Sequence, residues 1–389
     1  MMLGLLLARA GVDVVVLEKH ADFLRDFRGD TIHPSTLELM HELGLLSEFL
    51  KLPHQEIPEI RGQIGDFTVP IADFTHLPTR CKFLAMMPQW DFLNFLATQG
   101  ARYSAFQLRM QTEVTAFNEE AGRITGVYAT APTGPVEVRA DLVVAADGRH
   151  SLFRDRGGFI VRGFGAPMDV LWFRLSRRPT DPEASMGRFD AGRIFIQINR
   201  GEHWQCGYAI AKGSADEIRQ RGLEAFRSAV AQLAPFAADR VQEIRTWDDV
   251  KLLTVQVDRL ERWYRPGLLC IGDAAHAMSP VGGVGINLAV QDAVAAANEL
   301  AAPLRERRVT TDHLRHIQQR REFPTRVTQG MQVFVQKRLI SRVLGGSTQL
   351  KPPLLIRLLA RFPLLRRIPA RLIGVGVRPE HVRTTAGPA

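Results

Sequence analysis

Cysteine is scarce in this chain: Cys81, Cys206 and Cys270 stand far apart, with no CxxC pair. That spacing excludes a disulfide framework and a zinc site, and it points to a reducing, cytoplasmic setting. Long apolar runs are also absent, because no stretch reaches the roughly 20 residues that span a bilayer. The formal net charge is +9, yet no basic run is interleaved with aromatic residues. Solvated helix faces and an anionic cofactor account for that charge, so nucleic acid is not an expected partner. No GxSxG, HExxH or Ser-His-Asp grouping stands out. Internal repeats and low-complexity linkers are missing too.

What remains is the composition of a globular protein, 46% hydrophobic and 23% charged, long enough for two domains or for one large domain with an insertion. The opening, MMLGLLLARAG, has the apolar core of a signal peptide but no basic residue before it. It reads as a helix that stops at Gly11 and feeds a buried strand, Val12 to Leu17. Helix, strand and the acidic Glu18 with its neighbour Lys19 form the second half of a dinucleotide-binding βαβ unit, in which the acid accepts hydrogen bonds from a ribose. An ordinary surface carboxylate fits the spacing of Glu18 as well. The first strand and the GxGxxG turn that would open such a unit are not in the sequence. Either Met1 is an internal methionine of a longer product, or the strand has been lost; the first is expected, because that strand is central and its loss strands its neighbours' backbone groups.

The most informative stretch is LLCIGDAAHAMSPVGGVGINLAVQDAVAAANEL, residues 268–300. A short apolar strand runs into Gly272 and Asp273, a glycine-rich loop follows, and an Ala-rich helix begins near Gly285, Ile286 and Asn287. Pro280, Gly282, Gly283 and Val284 make a loop whose backbone can approach a ligand, and the unpartnered N–H groups of the helix start suit negative charge. A second strand, Asp141 to Ala146, runs into Asp147 and Gly148 in the same way. Asp147 is either a ligand-facing carboxylate or a cap for the helix that follows. His276 precedes a helix and is expected to be structural.

Elsewhere, Arg28 sits in a loop and either holds a phosphate or is merely solvated. Ser35 and Glu38 match a capping box. Pro88 and Gln89 open a helix whose start could donate to a cofactor. Alternating strands between 163 and 263 form a separate layer roofing a pocket, with Trp172, Arg174, Gln205 and Tyr208 as pocket candidates against the alternative of core packing. The tail from 350 to 377 mixes Arg and Leu at helical spacing. It is expected to pack on the body, with a weak peripheral membrane contact as the alternative.

These motifs resemble the class A flavoprotein aromatic hydroxylases, the family of para-hydroxybenzoate hydroxylase, over nearly the whole chain to about residue 330. Of the family's three fingerprints the N-terminal glycine turn is missing, the DG motif resembles 147–154, and the GD motif resembles 272–276 with Pro280, Gly282, Gly285 and Asn287. The resemblance implies an α/β fold: a Rossmann-like FAD-binding domain lacking its first strand (1–160 and 263–335), an inserted β-sheet substrate domain (161–262) and a helical C-terminal tail (336–389). It implies FAD held by Glu18 at the ribose, Arg28, Gln89 and Asp273 toward the pyrophosphate and ribityl chain, and the Pro280–Asn287 loop at the flavin ring, with Asp147 serving FAD and the nicotinamide donor. It further implies that NADH or NADPH reduces FAD, that O2 adds at flavin C4a, and that the hydroperoxide hydroxylates an aromatic or conjugated small molecule. Two alternatives stand beside this: an FAD oxidoreductase of the same fold acting on an isoprenoid or quinone, and a flavin-less remnant that only binds. A monomer and a homodimer fit equally.

Overall fold

The computed structural model describes all residues except 25–30, 66, 191, 347–351 and 388–389. A helix, Met2–Arg9, lies against the long helix Gly285–Arg305, and their facing side chains, among them Leu5, Leu6, Val294 and Leu300, form the main core. Strand Val14–Leu17 runs parallel to Phe106–Arg109. Strand Val143–Ala145 runs parallel to Leu268–Cys270, with Tyr264–Arg265 antiparallel beyond it. Among the described residues Val14–Leu17 and Val143–Ala145 are each paired along one edge only, and both line one cavity. The cavity therefore includes a slot lined by two open strand edges.

Strands Glu113–Glu120, Arg123–Ala131 and Gly134–Arg139 form a three-stranded meander. Helix Pro34–Glu42 begins earlier than the capping-box pattern predicts. Pro34 occupies its first turn, where a fixed φ and a missing N–H cost nothing, and Ser35 makes no cap.

The roofing layer is a seven-stranded sheet. It draws Glu59–Ile64 and Phe67–Asp73 from the first part of the chain, beyond the 161–262 span expected for it, and Glu59–Ile64 docks parallel to Met186–Asp190. Pairing of Met168–Ser176 with His203–Ala211 sets Trp172 opposite Gly207 and Leu171 opposite Tyr208. Helix Leu223–Leu233 covers the sheet's outer face, packing Phe226 against Phe173 and Tyr208. Helix Thr311–Val335 leads through a π turn, Gln336–Ile340, to the helices Leu354–Arg361 and Arg367–Gly374 on the outside of Phe67–Asp73. Residues 380–387 run across the helices Met2–Arg9 and Gly285–Arg305, where Arg9 Nη1 donates to Thr384 O at 2.7 Å and Asn298 Nδ2 to His381 O at 2.8 Å.

Candidate active site

Two adjacent parallel strands bring the two acidic turns together. Ala145 pairs with Cys270, and the Ile271 N–H donates to Ala145 O at 3.0 Å, so Asp147 and Asp273 emerge side by side at the carboxyl ends of the strands. That is where open α/β sheets bind ligands. Arg154, from the helix after Asp147, locks the turns to each other. Its Nη1 donates to Asp273 O at 3.2 Å and its Nη2 to Asp258 Oδ1 at 2.8 Å, with the side chain buried. The arginine of the DG motif thus acts on the GD motif, a role that spacing alone does not reveal.

Gly272 has φ +57°, and a Cβ there would lie 2.9 Å from that of Ala289, so the turn needs glycine to seat against the long helix. Its N–H donates to Asp292 Oδ2 at 3.1 Å. The same carboxylate takes His276 Nε2 at 2.5 Å and Arg321 Nε at 3.0 Å, all three side chains being fully buried. His276, its ring tilted against that of Trp263, is buried in this cluster. Burial alone would raise the Asp292 carboxyl, but His276 and Arg321 hold it below the usual range. Arg321 also reaches Glu380, so the end of the chain is tied to the glycine turn through one ion cluster.

The loop after Pro280 closes on Thr31. Gly283 has φ +62°, a Cβ there would meet Thr31 Oγ1 at 2.3 Å, and that hydroxyl donates to Gly283 O at 3.0 Å. Asn287 is spent within the protein: Oδ1 accepts from the His33 N–H at 3.0 Å and Thr36 Oγ1 at 2.7 Å, while Nδ2 donates to Thr31 O at 3.2 Å. Neither Asn287 nor the buried Val284 lines the cavity. Both were expected at the cofactor through their backbone N–H groups; the side chain of Asn287 holds the loop from behind.

The remaining candidates share one cavity of about 2020 Å³ that includes the strand slot. Glu18 and Lys19 stand at one end, Gln89 at a helix start, Asp147, Gly148, Gly272 and Asp273 at the strand ends, and Pro280, Gly282, Gly283, Gly285 and Ile286 along the loop. Glu18 Oε1 also accepts from the His20 N–H at 3.0 Å, and Lys19 lies 3.9 Å from Glu113. Asp147 lines the cavity, and its Oδ2 accepts from the Leu152 N–H at 3.0 Å, while the cap of the following helix is Ser151, whose hydroxyl accepts from the Phe153 and Arg154 N–H groups. The Asp147 side chain opens onto the cavity, yet the enclosing walls push its carboxyl above the usual range, against the hydrogen bonds of Ser151 and Leu152. Arg28 lies outside the described residues.

The far wall is the inner face of the seven-stranded sheet: Val170, Trp172, Ile194, Ile196 and Ala209, with Ile71 from the hairpin. Of the pocket candidates on the sheet Trp172 is there. Tyr208 points to the opposite face, against Phe226, because strand parity separates it from Gly207. Gln205, two pairs beyond Trp172 in the register, is buried and accepts from Arg200 Nε at 3.0 Å outside the cavity, and Arg174, its partner in the register, does not line the cavity either.

These features suit FAD: an acid at the end of the ribose-side strand, glycines admitting close backbone approach, a helix start for negative charge, and length enough for a dinucleotide. Residues 1–331 match the FAD binding domain family. The chain is 30% identical over 384 residues to 6-methylpretetramide 4-monooxygenase of Streptomyces rimosus, covering 98% of this chain and 91% of that protein. It is 28% identical over 333 residues to an aklavinone 12-hydroxylase of Streptomyces peucetius, covering 78% of this chain and 65% of the hydroxylase. The fold matches that of the anhydrotetracycline hydroxylase of Streptomyces rimosus with a TM-score of 0.73 at 23% identity, over 97% and 74% of the two chains. Motifs, cavity and relatives together place this chain in the FAD-binding-domain family of class A flavoprotein monooxygenases, as an FAD-dependent oxidoreductase.

Proposed function

We propose that this enzyme hydroxylates a flat, fused-ring aromatic small molecule, taking electrons from NADH or NADPH and oxygen from O2. The observation that carries the reading is the continuity of the cavity from the glycine loop to the apolar sheet face. Part of its volume is the strand slot, and the rest runs on from the strand ends past the glycine loop to the sheet, where a cofactor and a substrate of several rings can lie in succession. The likeness to 6-methylpretetramide 4-monooxygenase supports the fused-ring class.

FAD, when bound, supplies electron transfer and oxygen activation, and the protein binds, orients and excludes water. In this reading Glu18 and Lys19 take the adenosine ribose side, while Gln89 and Asp273 take the pyrophosphate and ribityl chain. The backbone from Pro280 to Ile286 takes the ring, with the helix dipole behind it favouring negative charge at that end. Trp172 and the isoleucines beside it form the apolar wall on which an aromatic substrate stacks.

The purified protein, supplied with FAD, tests this through NAD(P)H consumption with a panel of phenols, naphthols, hydroxyanthraquinones and isoprenoid quinone precursors. Stimulation by the fused-ring phenols is expected. Stimulation by the isoprenoid quinone precursors alone would overturn the substrate class, and failure to retain FAD would overturn the reading as a whole.

A further inference from the structure

Residues 352–379 contain six arginines and no aspartate or glutamate. The helices Leu354–Arg361 and Arg367–Gly374, joined by the turn Pro363–Arg366, form a shelf on the outside of strand Phe67–Asp73. Leu359 and Ala370 are buried beneath it, and Arg366 is turned inward, donating to Leu359 O and Ala360 O at 2.8 Å each. The outer side is unlike an ordinary solvated face. Leu354 is 71% exposed, Leu364 68%, Ile368 60% and Phe362 51%, with Arg357, Arg361, Arg367 and Arg371 exposed among them.

We infer that this shelf docks on an anionic lipid surface, with Leu354, Phe362, Leu364 and Ile368 entering the acyl boundary and the four arginines at the level of the phosphates. Large side chains left this exposed along two consecutive helices and the turn that joins them mark an interaction surface. Their setting selects the partner. Arginine stems lie along apolar surface while their guanidinium groups reach anionic headgroups, the pattern of an interfacial amphipathic helix. Self-association through a two-fold axis would bring this wholly basic surface against itself, so charge favours an anionic partner over a second copy. The apolar groups stand out singly from short helices instead of lining a groove, which suits a deformable acyl layer better than the fixed surface of an acidic protein. Among the described residues no helix is long and apolar enough to cross a membrane, so the contact is peripheral.

The position of the shelf has a consequence for substrate access. The strand beneath it carries Ile71, which lines the cavity. Docking therefore sets the lipid surface one strand away from the proposed substrate wall. The lipid contact itself does not depend on the substrate reading.

Co-sedimentation of the full chain, loaded with FAD, with vesicles of phosphatidylglycerol and phosphatidylcholine in equal parts tests the inference against vesicles of phosphatidylcholine alone. Binding to the anionic vesicles only, weakened by salt, is expected. The pairs Arg357→Glu/Arg361→Glu and Leu364→Ser/Ile368→Ser should each lower partitioning by about tenfold or more, with flavin content and thermal unfolding unchanged. Absence of binding to anionic vesicles would overturn the inference, as would binding that both pairs leave intact. A dimer in light scattering that the same pairs dissociate would assign the shelf to a second copy instead, and capture by an acidic polypeptide without vesicle binding would assign it to a protein.

Discussion

Replacing Asp292 by alanine is the most searching perturbation of the glycine turn. The carboxylate has no exposed surface and serves three donors: the Gly272 N–H at 3.1 Å, His276 Nε2 at 2.5 Å and Arg321 Nε at 3.0 Å. Removing one partner of a buried ion pair costs about 3–5 kcal/mol. Arg321 keeps Glu380 at 3.3 Å, which places the loss at the lower end, about 3 kcal/mol. Denaturant unfolding of the FAD-loaded protein, followed by circular dichroism and by flavin release, should show that loss with earlier release of the cofactor. Substituting Arg321→Met as well removes the stranded charge, so the double variant should be more stable than the sum of the single losses by about 1 kcal/mol or more. The acid limb should change too. Because the folded carboxyl is held below its usual range, its contribution is complete above the unfolded value and is lost as pH falls through the folded one, below about pH 4. A loss under about 1 kcal/mol in Asp292→Ala with normal flavin retention, or strict additivity in the double variant, would refute this account of the cluster.

Three further outcomes are expected. Burial lowers His33 from 6.5 to about 4, with its hydrogen bond to Ile373 O opposing, so the unfolded chain takes up the proton first; stability should fall by up to about 3 kcal/mol between pH 6.5 and 4. Unfolding measured across that range should lose this slope in His33→Gln. Gly283→Ala should cost about 2–4 kcal/mol and weaken FAD binding, since the new Cβ meets Thr31 Oγ1 at 2.3 Å in a left-handed backbone; adding Thr31→Ala should restore part of the thermal stability. Gly207→Ala places a Cβ 2.9 Å from the Trp172 ring and should tilt the indole into the cavity. Steady-state kinetics should then show kcat/KM for fused-ring substrates about tenfold lower or worse at unchanged flavin content.

Much of the cofactor half was legible because it is local. Gly272, Asp273, Asp147 and Gly148 follow short apolar strands directly, and a strand ending at glycine and an acid dictates its own turn. What was not legible depends on long-range partners. Asn287 looked ligand-facing until its amide met His33, Thr36 and Thr31, more than 250 residues away in sequence. The joining role of Arg154 needs Asp258 and Asp273, and the cluster at Asp292 needs the tail at Glu380. Tyr208 is a different kind of miss, since parity was present in the alternation: Cys206, Tyr208 and Ile210 share one face of the strand, and Gln205, Gly207 and Ala209 the other. The bulky set packs under the helix Leu223–Leu233, and the small set leaves room for Trp172. The contribution of 59–73 to the sheet follows from a parallel pairing across more than 120 residues, which no local pattern announces.

The central claim is that the two acidic turns and the glycine loop cradle a flavin facing an aromatic pocket. Mass spectrometry of a fused-ring phenol incubated with the enzyme, FAD, NAD(P)H and isotopically labelled O2 tests it most directly. The account predicts a hydroxylated product carrying one labelled oxygen atom, with formation abolished or strongly reduced in Asp273→Ala through loss of flavin. NAD(P)H oxidation that leaves every fused-ring phenol unlabelled, or labelling that Asp273→Ala leaves at the wild-type rate, would contradict it.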